Sequence, residues 1–193
     1  QNKNKTKRTL IPNRKGVELR PEEANERSVC GHYEGDTMVS GKKTGSKAAL
    51  TVIYDRKSKK INARKILSLK PVLFNKAIDN MGKENSIKTA TLDNGIENVK
   101  HEELGVPTYF CDPYSPWQKG GVEQSIKMIR RFIPKGTDIG RYSDGYVNMV
   151  VDILNNKPRK SLGYQTPNEV FFQSALLQNN LQIKKPECVA LRG

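Results

Sequence analysis

Apolar and polar positions alternate through His32-Tyr-Glu-Gly-Asp-Thr-Met-Val, the two-residue period of a strand whose successive side chains face opposite ways. A turn rich in glycine and lysine occupies 40–46, and the β-branched run at 48–54 predicts a second strand. After a turn at 56–60, residues 61–69 predict a third, so the three runs read as an antiparallel meander. Pro71 stands where a helix begins, with Val72, Leu73, Ala77, Ile78 and Met81 following at helical spacing, and Gly82 is expected to end that helix. Short strands are predicted at 87–92, closing on Asp93-Asn-Gly, and at 107–111, which runs into the proline-bounded loop 112–117. Beyond Gly121, the residues Val122, Ile126, Ile129 and Ile133 form one apolar helical stripe, with Glu123, Lys127 and Arg130 on a neighbouring face. Pro134 and Gly136 stop this helix. Another helix is expected at 144–155 and a short one after Thr166-Pro167. The order gives an α/β fold: a mixed five-stranded sheet, three antiparallel strands then two parallel, flanked by helices.

At 193 residues the chain can build one full core but not two large domains. The expected division is a basic N-terminal arm at 1–25, a catalytic core at 26–175 and a C-terminal tail at 176–193. Residues 1–20 carry seven basic side chains and the single acid Glu18, which reads as an extended arm. The net charge of +14, from 34 Lys and Arg against 20 Asp and Glu, makes nucleic acid the expected partner class. Charge names no chemistry, since an architectural DNA-binding protein would show the same balance. No apolar run approaches the ~18 residues that span a bilayer, so no membrane partner is expected. Three widely spaced cysteines (Cys30, Cys111, Cys188) offer neither a disulfide framework nor a zinc site. The expected setting is intracellular and cytoplasmic, at the bacterial nucleoid.

Three acids stand out by placement. Asp36 lies inside the first strand, where Asp is depleted. Asp93 ends a later strand at a glycine-containing turn, and Glu123 sits on the first turns of the long helix. Acids at strand ends and a helix start can converge even when far apart in sequence, and carboxylates suit Mg²⁺ or Mn²⁺. Two ions about 3.5–4 Å apart would serve phosphodiester chemistry. Each acid also has a plain reading: Asp93-Asn-Gly as a turn, and Glu123 as a surface residue paired with Lys127.

The motifs around these acids decide between the readings. Gly31-His-Tyr-Glu-Gly-Asp-Thr, Asp55-Arg-Lys-Ser, Leu92-Asp-Asn-Gly-Ile-Glu and Tyr109-Phe-Cys-Asp-Pro-Tyr-Ser-Pro-Trp-Gln-Lys-Gly come in order, followed by Phe132-Ile-Pro-Lys-Gly-Thr-Asp, Leu154-Asn-Asn-Lys-Pro-Arg-Lys-Ser-Leu-Gly-Tyr and Thr166-Pro-Asn-Glu-Val-Phe. Together they resemble the insertion-sequence transposases of the DDE superfamily, kin to retroviral integrases, over roughly residues 11–172. The resemblance implies an RNase H-like fold and a DNA transposase core that cleaves strands and transfers them, with Asp36, Asp93 and Glu123 as catalytic residues and ligands of two Mg²⁺ or Mn²⁺ ions. Asn94 and Gly95 shape the loop beside the second acid, and Asn94 is expected to contact DNA there. It also implies element-end and target DNA as partners, and a homodimer or larger assembly on that DNA. The helix-turn-helix region that family members carry before the core is absent from this sequence, so loss of specific end recognition is expected with it. Val122 and Gln124 flank Glu123 where the family has Asn, and the stretch near Glu102 is short. An RNase H-like nuclease or resolvase, and a decayed DNA-binding protein, are the rival readings.

Lys127, Arg130, Arg131 and Lys135 are expected on phosphates, with Arg159 and Lys160 as weaker candidates. Trp117 and Tyr114 could stack on an unpaired base or pack against the core. His32 and His101 could assist metal or phosphate binding, although lone histidines more often serve as structural hydrogen-bonders.

Overall fold

Residues 11–113 and 115–183 are described by the computed structural model. Five strands, β1 (His32–Val39), β2 (Ala49–Asp55), β3 (Ile61–Ile66), β4 (Thr89–Leu92) and β5 (Thr108–Phe110), form one sheet in the order β3-β2-β1-β4-β5. The pairs β1–β2 and β2–β3 are antiparallel, while β1–β4 and β4–β5 are parallel. The mixed sheet expected from the sequence is therefore present.

The β2–β3 hairpin turns on Asp55, whose buried carboxylate accepts from the Ser58 N–H (2.7 Å), the Ser58 hydroxyl (2.7 Å) and the Gly31 N–H (2.7 Å). Lys59 takes the left-handed position that closes the turn. Among the described residues the α-helices are α1 (Glu22–Glu26), α2 (Pro71–Asn85), α3 (Gly120–Ile129), α4 (Asp144–Asn155) and α5 (Pro167–Ile183).

Both faces of the sheet are covered. On one, Met38, Leu50, Val52 and Tyr54 pack against Val122 and Ile129 of α3 and Val150 and Leu154 of α4. On the other, Tyr33, Ile53, Leu92 and Phe110 meet Phe74, Ile78 and Met81 of α2. Every position of β2 is buried, as a central strand between two helical layers must be. Side chains of this size each contribute roughly 1.5–3 kcal/mol when fully buried.

Several boundaries differ from the sequence reading. Helix α2 runs through Gly82 to Asn85 because Ser86, at φ 49°, takes the left-handed cap and donates to the Gly82 carbonyl (3.0 Å). Helix α3 closes at Ile129, where the bonds Arg131 N–H to Met128 O and Phe132 N–H to Ile129 O tighten the chain ahead of Pro134. Helix α5 is 17 residues long and crosses the expected core–tail boundary. Its start is a capping box: Glu169 accepts from the Thr166 N–H (2.7 Å), and Thr166 accepts from the Glu169 N–H (3.2 Å).

Residues 11–25 also depart from an extended arm. Gly16 bridges Phe110 at the sheet edge, Ile11 packs on the α2-side core, and His101 bonds the Pro12 carbonyl (2.8 Å). Helix α1 spans the expected arm–core boundary and docks through Glu23, which meets the His32 imidazole at 2.8 Å. Residues 1–10 and 184–193, with Cys188, lie outside the described residues, as does Tyr114. Among the described helices none is long and apolar enough to cross a membrane.

Candidate active site

The parallel register of β1 with β4 pairs His32 with Thr89 and Glu34 with Thr91. Carried two residues further, it sets Asp36 opposite Asp93, with both side chains on the α3 face of the sheet. The structure brings these two acids together around a residue the sequence reading did not single out. Lys119, on the turn Pro116–Lys119 before α3, places Nζ 3.0 Å from Asp36 Oδ2 and 3.2 Å from Asp93 Oδ2. Its side chain is 9% exposed, against 20% for Asp36 and 40% for Asp93. Burial alone would make the Lys119 ammonium a stronger acid, but the charges and hydrogen bonds of Asp36 and Asp93 outweigh it and hold the proton more tightly.

The free oxygens of the pair are oriented locally. Asp36 Oδ1 accepts from the Thr37 N–H (2.7 Å). Asp93 Oδ1 accepts from the Gly95 N–H and the Asn98 amide, both at 3.0 Å. The glycine-containing turn thus holds the acid it follows. Asn94 points its amide to the Cys111 carbonyl (2.9 Å), tying the turn to the end of β5. Nearby, the half-buried Glu97 carboxyl is raised by burial first, with the charges of Asp93 and Asp36 adding to the shift.

Glu123 lies on the first turn of α3. Among the described residues it has no hydrogen-bond or ion-pair partner, and no group of three or more His, Cys, Asp or Glu side chains that could hold a metal ion forms. The start of α3 is fixed one residue earlier. Lys119 at the N-cap offers no side-chain bond; instead Glu34, fully buried on β1, accepts the Val122 N–H (3.0 Å). The other Glu34 oxygen pairs with Arg56 at 2.5 Å, and Arg56 donates to the Ala24 carbonyl (2.7 Å). Gly121 is required here, since a Cβ would lie 2.2 Å from the Tyr54 ring and 2.8 Å from Glu34. Arg20 is held against this cluster, and desolvation, then the Arg56 charge, bring its guanidinium down to about 10.

The expected phosphate contacts separate into two kinds. Lys127, Arg131, Lys135 and Lys160 are exposed. Arg130 instead donates to the carbonyls of Val39 (2.9 Å) and Pro134 (3.2 Å), and Arg159 to that of Leu154 (3.3 Å). Trp117 is 75% exposed on the turn that carries Lys119. His32 and His101 are buried and bonded at both nitrogens, His32 to Thr89 and Glu23, His101 to Thr108 and Pro12. Both act within the fold. Sequence reasoning missed Glu34, Arg56 and Lys119; a second acid in phase with Asp36 on β1 was the one available signal.

No family model matches the chain. It is 35% identical over 177 residues to the transposase for insertion sequence element IS1086 of Cupriavidus metallidurans, covering 86% of this chain and 50% of that one. It is 38% identical over 172 residues to the transposase for IS4351 of Bacteroides fragilis, covering 86% and 52%. With transposase InsI for IS30A of Escherichia coli the identity is 34%, covering 86% and 44%. The chain thus spans about half the length of these relatives. Its fold matches the catalytic core domain of BIV integrase with a TM-score of 0.58 at 17% identity, over 77% of this chain and 98% of that one. By sequence the chain is similar to insertion-sequence transposases, and its mixed five-stranded fold is that of the integrase catalytic core domain, RNase H-like.

Proposed function

We propose that the chain is the catalytic core of a DNA transposase, cutting and joining DNA strands with divalent metal ions held by Asp36, Asp93 and Glu123. The observation that carries this reading is the convergence of Asp36 and Asp93 on one cation at the ends of adjacent parallel strands. Both present hard oxygen donors, and the Lys119 ammonium marks the space between them as one that fits a positive ion. Two Mg²⁺ or Mn²⁺ ions, held by these carboxylates, would supply activation of the attacking oxygen and stabilisation of the leaving one. The remaining work belongs to the chain itself.

The Gly95 and Asn98 donors orient Asp93, while Glu34 and Arg56 seat the start of α3 that carries Glu123. Water would attack in cleavage and the freed 3′-hydroxyl in joining, with both steps using one site. Exposed Lys127, Arg131 and Lys135 are assigned to phosphates, and Trp117 to stacking on a base. Arg130 and Asn94 shape the site through backbone carbonyls. Element-end and target DNA are the partners, with a homodimer or larger assembly forming on them at the nucleoid in the cytoplasm.

Incubation of the full-length protein with element-end DNA and Mg²⁺ or Mn²⁺ tests this. Nicked and joined products are expected, and Asp36→Asn, Asp93→Asn or Glu123→Gln should abolish both while DNA affinity persists. Cleavage without joining would make the chain a nuclease. Binding without cleavage in either metal would make it a basic DNA-binding protein.

A further inference from the structure

Lys119 has no role in the reaction described above, yet it occupies the centre of the site. Its ammonium is almost fully enclosed and lies within 3.2 Å of both aspartates. Two carboxylates facing each other across adjacent strands repel, and a cation between them relieves that repulsion. A divalent ion and the ammonium would seek the same oxygens, Oδ2 of Asp36 and Oδ2 of Asp93. Like charges cannot share so small a space without a large cost. We infer that Lys119 is the resident cation of the Asp36–Asp93 site, positioning both carboxylates in the metal-free protein and leaving them when a divalent ion binds. The inference rests on the metal-site reading of Asp36 and Asp93.

The local chain is suited to such an exchange. Lys119 is followed by Gly120 and Gly121, and a Cβ at Gly120 would meet no other side chain or distant backbone within 4 Å. Lys119 is also the N-cap of α3 but leaves the capping to Glu34. Its departure therefore keeps the Val122 cap intact, and the helix can hold its place while the turn before it moves. Metal entry is coupled to a rearrangement of the turn Pro116–Lys119, and the observed metal affinity is reduced by whatever holding Lys119 in place contributes. Trp117 sits on that turn, 75% exposed, and is the only tryptophan of the chain.

Calorimetric titration of the whole chain with Mn²⁺, alongside Mg²⁺-induced changes in Trp117 emission, tests the inference. Lys119→Gln removes the competing charge and should bind Mn²⁺ roughly tenfold more tightly than the unaltered chain. Lys119→Arg keeps a cation and should gain nothing. Without metal, Lys119→Gln should melt at a lower temperature than the unaltered chain and recover more on adding Mn²⁺. In the unaltered chain, Trp117 emission should change with the same midpoint as calorimetric Mg²⁺ binding, a measurement that stands even if Lys119→Gln folds poorly. Equal or weaker Mn²⁺ binding by folded Lys119→Gln would overturn the role of Lys119 and leave the metal site standing. Unchanged Trp117 emission at saturating Mg²⁺ would do the same. Absence of Mn²⁺ binding in both proteins would overturn the metal site itself, and this inference with it.

Discussion

Glu34 and Asp36 lie two residues apart on one face of β1, and their surroundings give them different work. Asp36 keeps one oxygen turned to a cation, whereas Glu34 is sealed between Arg56 and the first turn of α3. Glu34→Ala leaves the buried Arg56 guanidinium unpaired and the Val122 N–H uncapped, and should cost about 3–5 kcal/mol by urea denaturation. A loss below about 1 kcal/mol would show that the cap is not what seats α3. Glu97 gives a pH-dependent signature. Its folded-state carboxyl is raised, by burial first and then by Asp93 and Asp36, so the folded protein holds that proton more tightly than the unfolded chain does. Its contribution is most favourable below the ordinary glutamate range and is lost as pH rises through the raised value. Glu97→Gln should flatten that part of the stability–pH profile, and an unchanged profile would remove Glu97 from the site. At this scale Asp36 stood out because Asp is depleted inside strands, whereas Asp93, in an ordinary turn signal, stood out only through the motif around it. Lys119 was not, being one of 34 basic residues whose partners lie 83 and 26 positions away. Arg56 was hidden for the same reason, since nothing local links it to Glu34 or to the Ala24 carbonyl.

Helix α3 has two faces, as its periodicity predicts, but the burial is uneven. Val122 and Ile129, together with Ile133 beyond the end of the helix, are fully buried, whereas Ile126 is only partly so. Ile129→Ala should therefore cost about 2–5 kcal/mol, and Ile126→Ala should fall at or below the low end of that range. Lys127→Ala should leave stability within about 0.5 kcal/mol and weaken DNA binding. Denaturation of all three paired with DNA titration checks the assignment; a neutral Ile129→Ala would mean that the helix faces the sheet differently. Long periodic elements and the strand core of β1 were legible because their side chains meet one environment along their length. Ends were less so. Gly82 reads as a stop, yet buried Asn85, bonded to the Met81 carbonyl at 2.7 Å and accepting from the Tyr33 hydroxyl at 3.4 Å, draws α2 one turn onward. Residues 11–25 look too polar for a folded segment, but their backbone pairs at the edge of β5 and their polar side chains find partners on the core. Tertiary pairing of this kind leaves no periodic trace.

For the molecule as a whole, the 193-residue chain carries a net charge of +14, and its Asp36–Asp93 pair is neutralised in part by one of its own lysines. Binding to DNA should be mainly electrostatic: with about six phosphates contacted, log K should fall against log salt with a slope of roughly −5. Titration of element-end and scrambled duplexes at several salt concentrations would show this, and a flat response would contradict it. The order of strands was legible because each β run carries its own period and turn. The pairing of Asp36 with Asp93 needed the parallel register of β1 with β4, which only the assembled sheet supplies. The most direct test of the account is an anomalous-scattering map from crystals of the chain grown with Mn²⁺. The account predicts a peak between Asp36 and Asp93, bound by both carboxylates, with the Lys119 ammonium moved out of the space it holds here. A map with Lys119 still bridging the two aspartates, and no manganese between them, would contradict it.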